Sequence, residues 1–111
     1  MTAAIKRVGS SVSPALQRKI RLHRRAFQRY GHLIPLGDPV DRRFSPESVS
    51  TLDRVQEREY RARMAFLSHR VGSLADVTAK ARYLMRHADS DYQISGPEEL
   101  GLFLRSLIPR G

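Results

Sequence analysis

Between Ser13-Pro14 and Gly31 the chain places Leu16, Ile20, Phe27 and Tyr30 in one series, with His23 among them. Steps of three to four residues are the repeat of an α-helix with one buried face. Ser13 suits the N-cap, and Pro14 the first helical position, where a missing N–H costs nothing; Gly31 suits the end. On a helical projection Arg18, Arg21, Arg24, Arg25 and Arg29 fall on the opposite arc, so charge and hydropathy agree on which face turns inward. A chain that contains such a helix must supply other surfaces to cover the apolar stripe.

Three further segments read as helices. Ser50 with Asp53 resembles a capping box and opens a helix over about 50–70, closed by Gly72. Ser73 opens the next, about 73–88, with Leu74, Val77, Ala81, Leu84, Met85 and Ala88 as its expected apolar face. Ser95 with Glu98, and Pro97 in the first turn, opens the last, about 96–108. Residues 31–49 hold three prolines and two glycines and read as a Pro/Gly loop. No segment shows the alternation of a half-buried strand. The expected fold is all-α: a small four-helix bundle built on a long antiparallel helical hairpin. Residues 13–108 form its single helical domain and residues 1–12 a flexible basic tail. A chain of 111 residues supports one modest core of this kind.

Charge is unevenly placed. Residues 1–43 carry ten Lys or Arg against Asp38 and Asp41, whereas residues 44–111 carry ten against nine acids. A basic half joined to a near-neutral half points to an anionic partner for the first half. The arginines Arg18, Arg21, Arg24, Arg25 and Arg29 are the candidate contacts for phosphate or for an acidic protein. Arg21–Arg25 and Arg25–Arg29 are like-charged pairs one turn apart, a repulsion that acids from elsewhere or a bound polyanion would relieve. Whether these arginines pair with the chain's own acids separates the readings.

Candidate chemistry is sparse. There is no cysteine, so disulfides and thiolate metal sites are excluded and a cytoplasmic setting is expected. No apolar run approaches the ~18 residues needed to span a bilayer, so no membrane role is expected. His23, His32, His69 and His87 lack metal-ligand spacing, and neither a phosphate loop nor a nucleophile motif is present. No metal, no cofactor and no enzymatic activity are expected; a cleft gathering His23, Glu59 and Lys80 would be needed to argue otherwise. Glu59 falls near the middle of the second helix's stripe (Leu52, Val55, Ala62, Phe66), where antiparallel packing would set it against His23 as a buried structural pair. The segment 64–85 has the outline of a helix-turn-helix, with Thr78, Lys80 and Arg82 as its possible base readers. Tyr83 lies opposite the apolar face of the third helix and reads as exposed, and Leu102, Phe103 and Ile108 give the last helix apolar surface on more than one side. Those four are the candidate interface residues.

"ALQRKIRLHRRAF" at 15–27, Glu59 and Ala62 in the central helix, and "SLADVTAKARYLMRH" at 73–87 resemble a group of small helical proteins of alphaproteobacterial genomes. The positions that carry the resemblance are Leu16 or Ile20, His23, Arg24, Ala26, Phe27, Glu59, Ala62, Lys80, Ala81, Tyr83 and Leu84. It implies an all-α fold in a bacterial cytoplasm and brings no activity with it. The function expected is a small non-enzymatic regulatory or adaptor protein that binds another protein or a second copy of itself. The alternative is a nucleic-acid-associated protein contacting phosphates through the arginine face of the first helix.

Overall fold

The computed structural model describes residues 11–88 and 96–108, the side chains of 87, 88 and 96 excepted. Four α-helices carry the fold: α1 (Pro14–Leu33), α2 (Pro46–Ser68), α3 (Leu74–Ala88) and α4 (Gly96–Ser106). A 3₁₀ turn at Ile34–Gly37 follows α1 directly. Among the described residues there is no strand. The fold is an all-α bundle, and its framework is the α1–α2 hairpin.

Pairings along that hairpin show its direction. Leu16, at the start of α1, packs with Phe66 and Leu67 at the end of α2. His23 meets Glu59 near the middle of both, and Arg29 and Val55 line one groove nearer the other end. The two helices therefore run antiparallel. Tyr83 touches His23 while Asp76, one helical stretch earlier, touches Ser13, so α3 runs alongside α1 in the same sense. Glu99 faces Arg63 and Ser106 faces Val71, so α4 runs with α2. The topology is up-down-up-down.

Helix starts follow local chemistry. Ser13 accepts a hydrogen bond from the Leu16 N–H at 3.3 Å, with Pro14 behind it. Ser45-Pro46 repeats this signal: Ser45 accepts from the Ser48 N–H at 3.0 Å, and the Ser48 hydroxyl accepts from the Ser45 N–H at 2.8 Å. This reciprocal box, rather than Ser50 and Asp53, begins α2 four residues before the expected start. The dense prolines of 31–49 concealed it. Two of those prolines, Pro35 and Pro46, instead open helical turns, where proline is favoured. At the other ends, α1 continues through Gly31 to Leu33, and α2 stops at Ser68 with His69 as its cap, short of Gly72. The expected tail at 1–12 falls mostly outside the described residues, as do Ser95 and the connection before α4.

The largest departure from expectation is the face α3 buries. Leu74 and Met85, assigned to its apolar face, are 77% and 70% exposed. The buried stripe is Asp76, Lys80 and Tyr83, one turn apart on the neighbouring arc, with Ala79 and Leu84 packed beside it. Polar residues can take that place because every polar end has a partner. Asp76 accepts from the Ser13 N–H at 2.8 Å and from the Gly72 N–H at 3.4 Å, while its own N–H donates to the Ser73 hydroxyl. Lys80 is wholly buried, and its ammonium donates to the carbonyls of Leu67 (3.1 Å) and His69 (2.8 Å) and to the Ser106 hydroxyl (2.7 Å). Its three hydrogens thereby meet three acceptors. Two of these belong to the end of α2, where the helix dipole favours a cation. The rings of Phe66 and Phe103 lie 5.4 and 5.5 Å from the same ammonium. One lysine thus joins α2, α3 and α4, and it is no candidate for reading bases.

Burial, reinforced by the nearby positive charge of Lys19, pulls the Lys80 ammonium from its ordinary 10.5 down to about 8. Between those values the unfolded chain holds a proton that the folded chain has released. Folding therefore gains stability as pH rises through that window, and below it the buried charge carries its full cost. Lys80→Met should destabilise by about 2 kcal/mol at neutral pH through the lost carbonyl and hydroxyl contacts. The gap between wild type and variant should widen by up to about 3 kcal/mol between pH 8 and 10.5. Urea unfolding of both proteins across this range measures it. A constant gap would mean that the three acceptors hold the ammonium charged despite its burial.

Candidate functional site

Two constellations emerge, one inside the bundle and one outside. Inside, the His23 imidazole lies between Tyr83 and Glu59, with Nδ1 2.6 Å from the phenol oxygen and Nε2 2.7 Å from a Glu59 carboxylate oxygen. All three residues are at most 3% exposed. A carboxylate only accepts, so Nε2 carries a proton and donates it; in the neutral ring Nδ1 then accepts from the phenol O–H. Burial, with the Glu59 charge adding to it, pushes the Tyr83 phenol well above its ordinary value, so it remains a donor. Glu59 also faces Arg63 at 3.8 Å, and Arg63 reaches on to Glu99 at 3.5 Å. The sequence Tyr83, His23, Glu59, Arg63, Glu99 visits all four helices.

Aromatic rings enclose this network. Phe27 and Phe66 stack on the imidazole at centroid distances of 5.9 and 6.4 Å, and Tyr83 meets it edge-on at 5.6 Å. The Arg24 guanidinium lies 5.7 Å from the Tyr83 ring. That contact sets Arg24 apart from the other arginines of α1: it is exposed, yet it closes over the interior. Phe66 touches both the imidazole and the Lys80 ammonium, while Lys80 itself bonds elsewhere. His23, Glu59 and Lys80 therefore do not converge on one cleft. Among the described residues no three His, Asp or Glu side chains gather where they could hold a metal ion.

Outside, Arg18, Arg21, Arg25 and Arg29 are all exposed. They lie within an 80° arc of α1 and span about 16 Å along its axis. Among the described residues no carboxylate comes within salt-bridge distance of any of them. Acids elsewhere do find cations: Asp41 pairs with Arg43 at 3.0 Å and Glu57 with Arg61 at 3.0 Å. The Asp41 carboxyl is held below its usual range by the Arg43 hydrogen bonds. Beside this ridge, between α1 and α2, runs a groove of about 360 Å³ into which Arg25, Arg29 and Arg58 project from its two walls.

The candidate interface residues separate. Tyr83 is buried, against the expectation of exposure, because its hydroxyl has a partner in His23 and its ring packs on Phe66 at 5.0 Å. Leu102 and Phe103 pack against the core, whereas Ile108, two residues past the end of α4, is 60% exposed, and Leu100 and Leu104 on α4 are exposed too. Sequence reasoning missed the Lys80 clamp, Arg63 and Glu99. The signal for Lys80 was present: Asp76, Lys80 and Tyr83 recur at i, i+4 and i+7, the same period as the apolar residues. No protein-family model, curated protein or solved structure matches the chain.

Substitutions at three positions test the interior network. Tyr83→Phe removes one hydrogen bond and should cost about 1–2 kcal/mol at neutral pH. Above about pH 10 that penalty should shrink, because the unfolded phenol ionises there while the folded one stays protonated, so wild-type stability falls with rising pH. Glu59→Ala strips both His23 and Arg63 of an anion and should cost about 3–5 kcal/mol. The double change His23→Leu/Glu59→Leu should cost less than its two singles combined, read by thermal and chemical unfolding. Additive singles would show that the pair is not coupled.

Proposed function

We propose that the protein binds nucleic acid by contacting phosphates with the exposed arginine ridge of α1. One observation carries this reading: Arg18, Arg21, Arg25 and Arg29 share one exposed face and have no ion-pair partner among the described residues. Like charges one turn apart destabilise a helix by a few tenths of a kcal/mol per pair, and a row of phosphates reverses that sign. Arginine is suited to the task through its fork of donors, and 17 of the chain's 20 cations are arginine. Beside the ridge α1 exposes two amides, Gln17 and Gln28, and no carboxylate, so the binding proposed tracks backbone charge more than sequence.

A second reading has its own support. Leu100 and Leu104 form an exposed apolar stripe on α4, followed by Ile108 two residues past its end, from 46% to 60% accessible, which suits an adaptor that docks on another protein. The resemblance to small helical alphaproteobacterial proteins is compatible with both readings and selects neither. No described helix is long and apolar enough to cross a membrane.

Fluorescence polarisation with labelled duplex DNA and single-stranded oligonucleotides across a salt series tests the first reading. Four phosphate contacts on duplex give a log–log salt slope of about −3 to −4. Arg21→Glu/Arg25→Glu, on two exposed positions, should lower affinity more than about tenfold with an unchanged melting temperature. Absence of binding at about 150 mM salt, with the variant indistinguishable from wild type, would turn attention to the α4 stripe.

A further inference from the structure

Resting on the nucleic-acid reading, we infer that the groove between α1 and α2 seats an unstacked base, so that the preferred ligand is a single strand rather than a duplex. The ridge alone would serve either. The groove adds something a duplex cannot use. Its floor is Leu22, Ala26, Val55 and Ala62, apolar side chains contributed by both helices of the hairpin. Leu22 is half exposed within it, an apolar side chain left open to an occupant. Its volume of about 360 Å³ is at the low end of the range of small-molecule sites.

The cations around this floor identify the occupant. Arg25 and Arg29 belong both to the ridge and to the groove, one helical turn apart, and Arg58 faces them from α2. Among the described residues no acid lines the groove. The fitting ligand has an apolar flat body, negative charge on both sides of it, and further charge repeated along Arg21 and Arg18. A single-stranded nucleic acid has that alternation: its bases are free to leave the stack, guanidinium planes stack on them, and phosphates flank every base. A duplex keeps its bases paired and stacked, offering phosphate, sugar and base edges but no free base face to enter the groove.

The test compares three probes of equal length at about 150 mM salt: labelled oligo(dT) of about twelve nucleotides, an abasic oligonucleotide with the same phosphates, and the matching duplex. Oligo(dT) should bind about tenfold more tightly than the abasic strand, as base contacts on such surfaces allow. Leu22→Ser, at a half-exposed position, should bring oligo(dT) down to the abasic level without changing abasic binding. Arg58→Ala, off the ridge, should weaken oligo(dT) more than duplex. Circular dichroism melting confirms that both variants fold. Equal affinity for oligo(dT) and the abasic strand would overturn the groove inference while leaving phosphate binding by the ridge in place. Failure of all three probes to bind would remove the nucleic-acid reading itself. An acidic peptide of alternating Glu and Leu that displaces oligo(dT) at equal concentration would overturn the inference in favour of a protein occupant.

Discussion

Glu59 is a carboxylate 3% exposed in the middle of a small bundle, and its burial is the constraint around which the hairpin is arranged. An uncompensated charge there would cost several kcal/mol, so the folded state must bring partners to it. His23 comes from α1, Arg63 from one turn along α2, and Tyr83 from α3 completes the imidazole's second bond. Meeting these distances constrains the register of α1 against α2 and the rotation of α3. Apolar contacts among Leu16, Phe66 and Leu67 supply driving force without that selectivity, since hydrophobic attraction is non-directional. The network therefore acts as the alignment device of the bundle.

Charged side chains do the same work at the ends of the helices. Asp76 ties the first residue before α1 to the start of α3, and Lys80 gathers the last carbonyls of α2 together with Ser106 of α4. Helix ends hold the backbone groups that a helix cannot satisfy by itself. Side chains of opposite sign on one stripe of α3 answer both kinds, an acid toward N–H groups and a base toward carbonyls. Hydropathy then misjudges part of the helix: Leu74 and Met85, which would gain from burial by transfer, remain in solvent.

This division of labour leaves α1 with two unlike faces. Inward, it contributes the imidazole on which the interior network turns. Outward, it carries four arginines that the fold does not neutralise among its described residues. Acids are not scarce, yet Glu59 and Glu99 are spent on the interior and Glu57 and Asp41 on local partners. Because α2 packs beside the ridge and contributes Arg58 and an apolar floor, the binding surface proposed for α1 belongs to the hairpin rather than to one helix. Fold and surface are linked through the same pairing of helices.

Helix class, helix number and the two-faced character of α1 were legible in the residues, because period, Ser-Pro starts and charge segregation are local properties. The placement of His23 opposite Glu59 was also legible, since two stripes and an antiparallel turn suffice to bring them level. Only the tertiary structure decided the rest. It turned α3 so that Asp76, Lys80 and Tyr83 face inward. It also opened the groove beside the ridge. For α3 the physical reason lies in its polar groups. A polar group is counted as outward from sequence because water is its default partner, whereas its actual preference depends on which distant donors or acceptors the fold brings within about 3 Å.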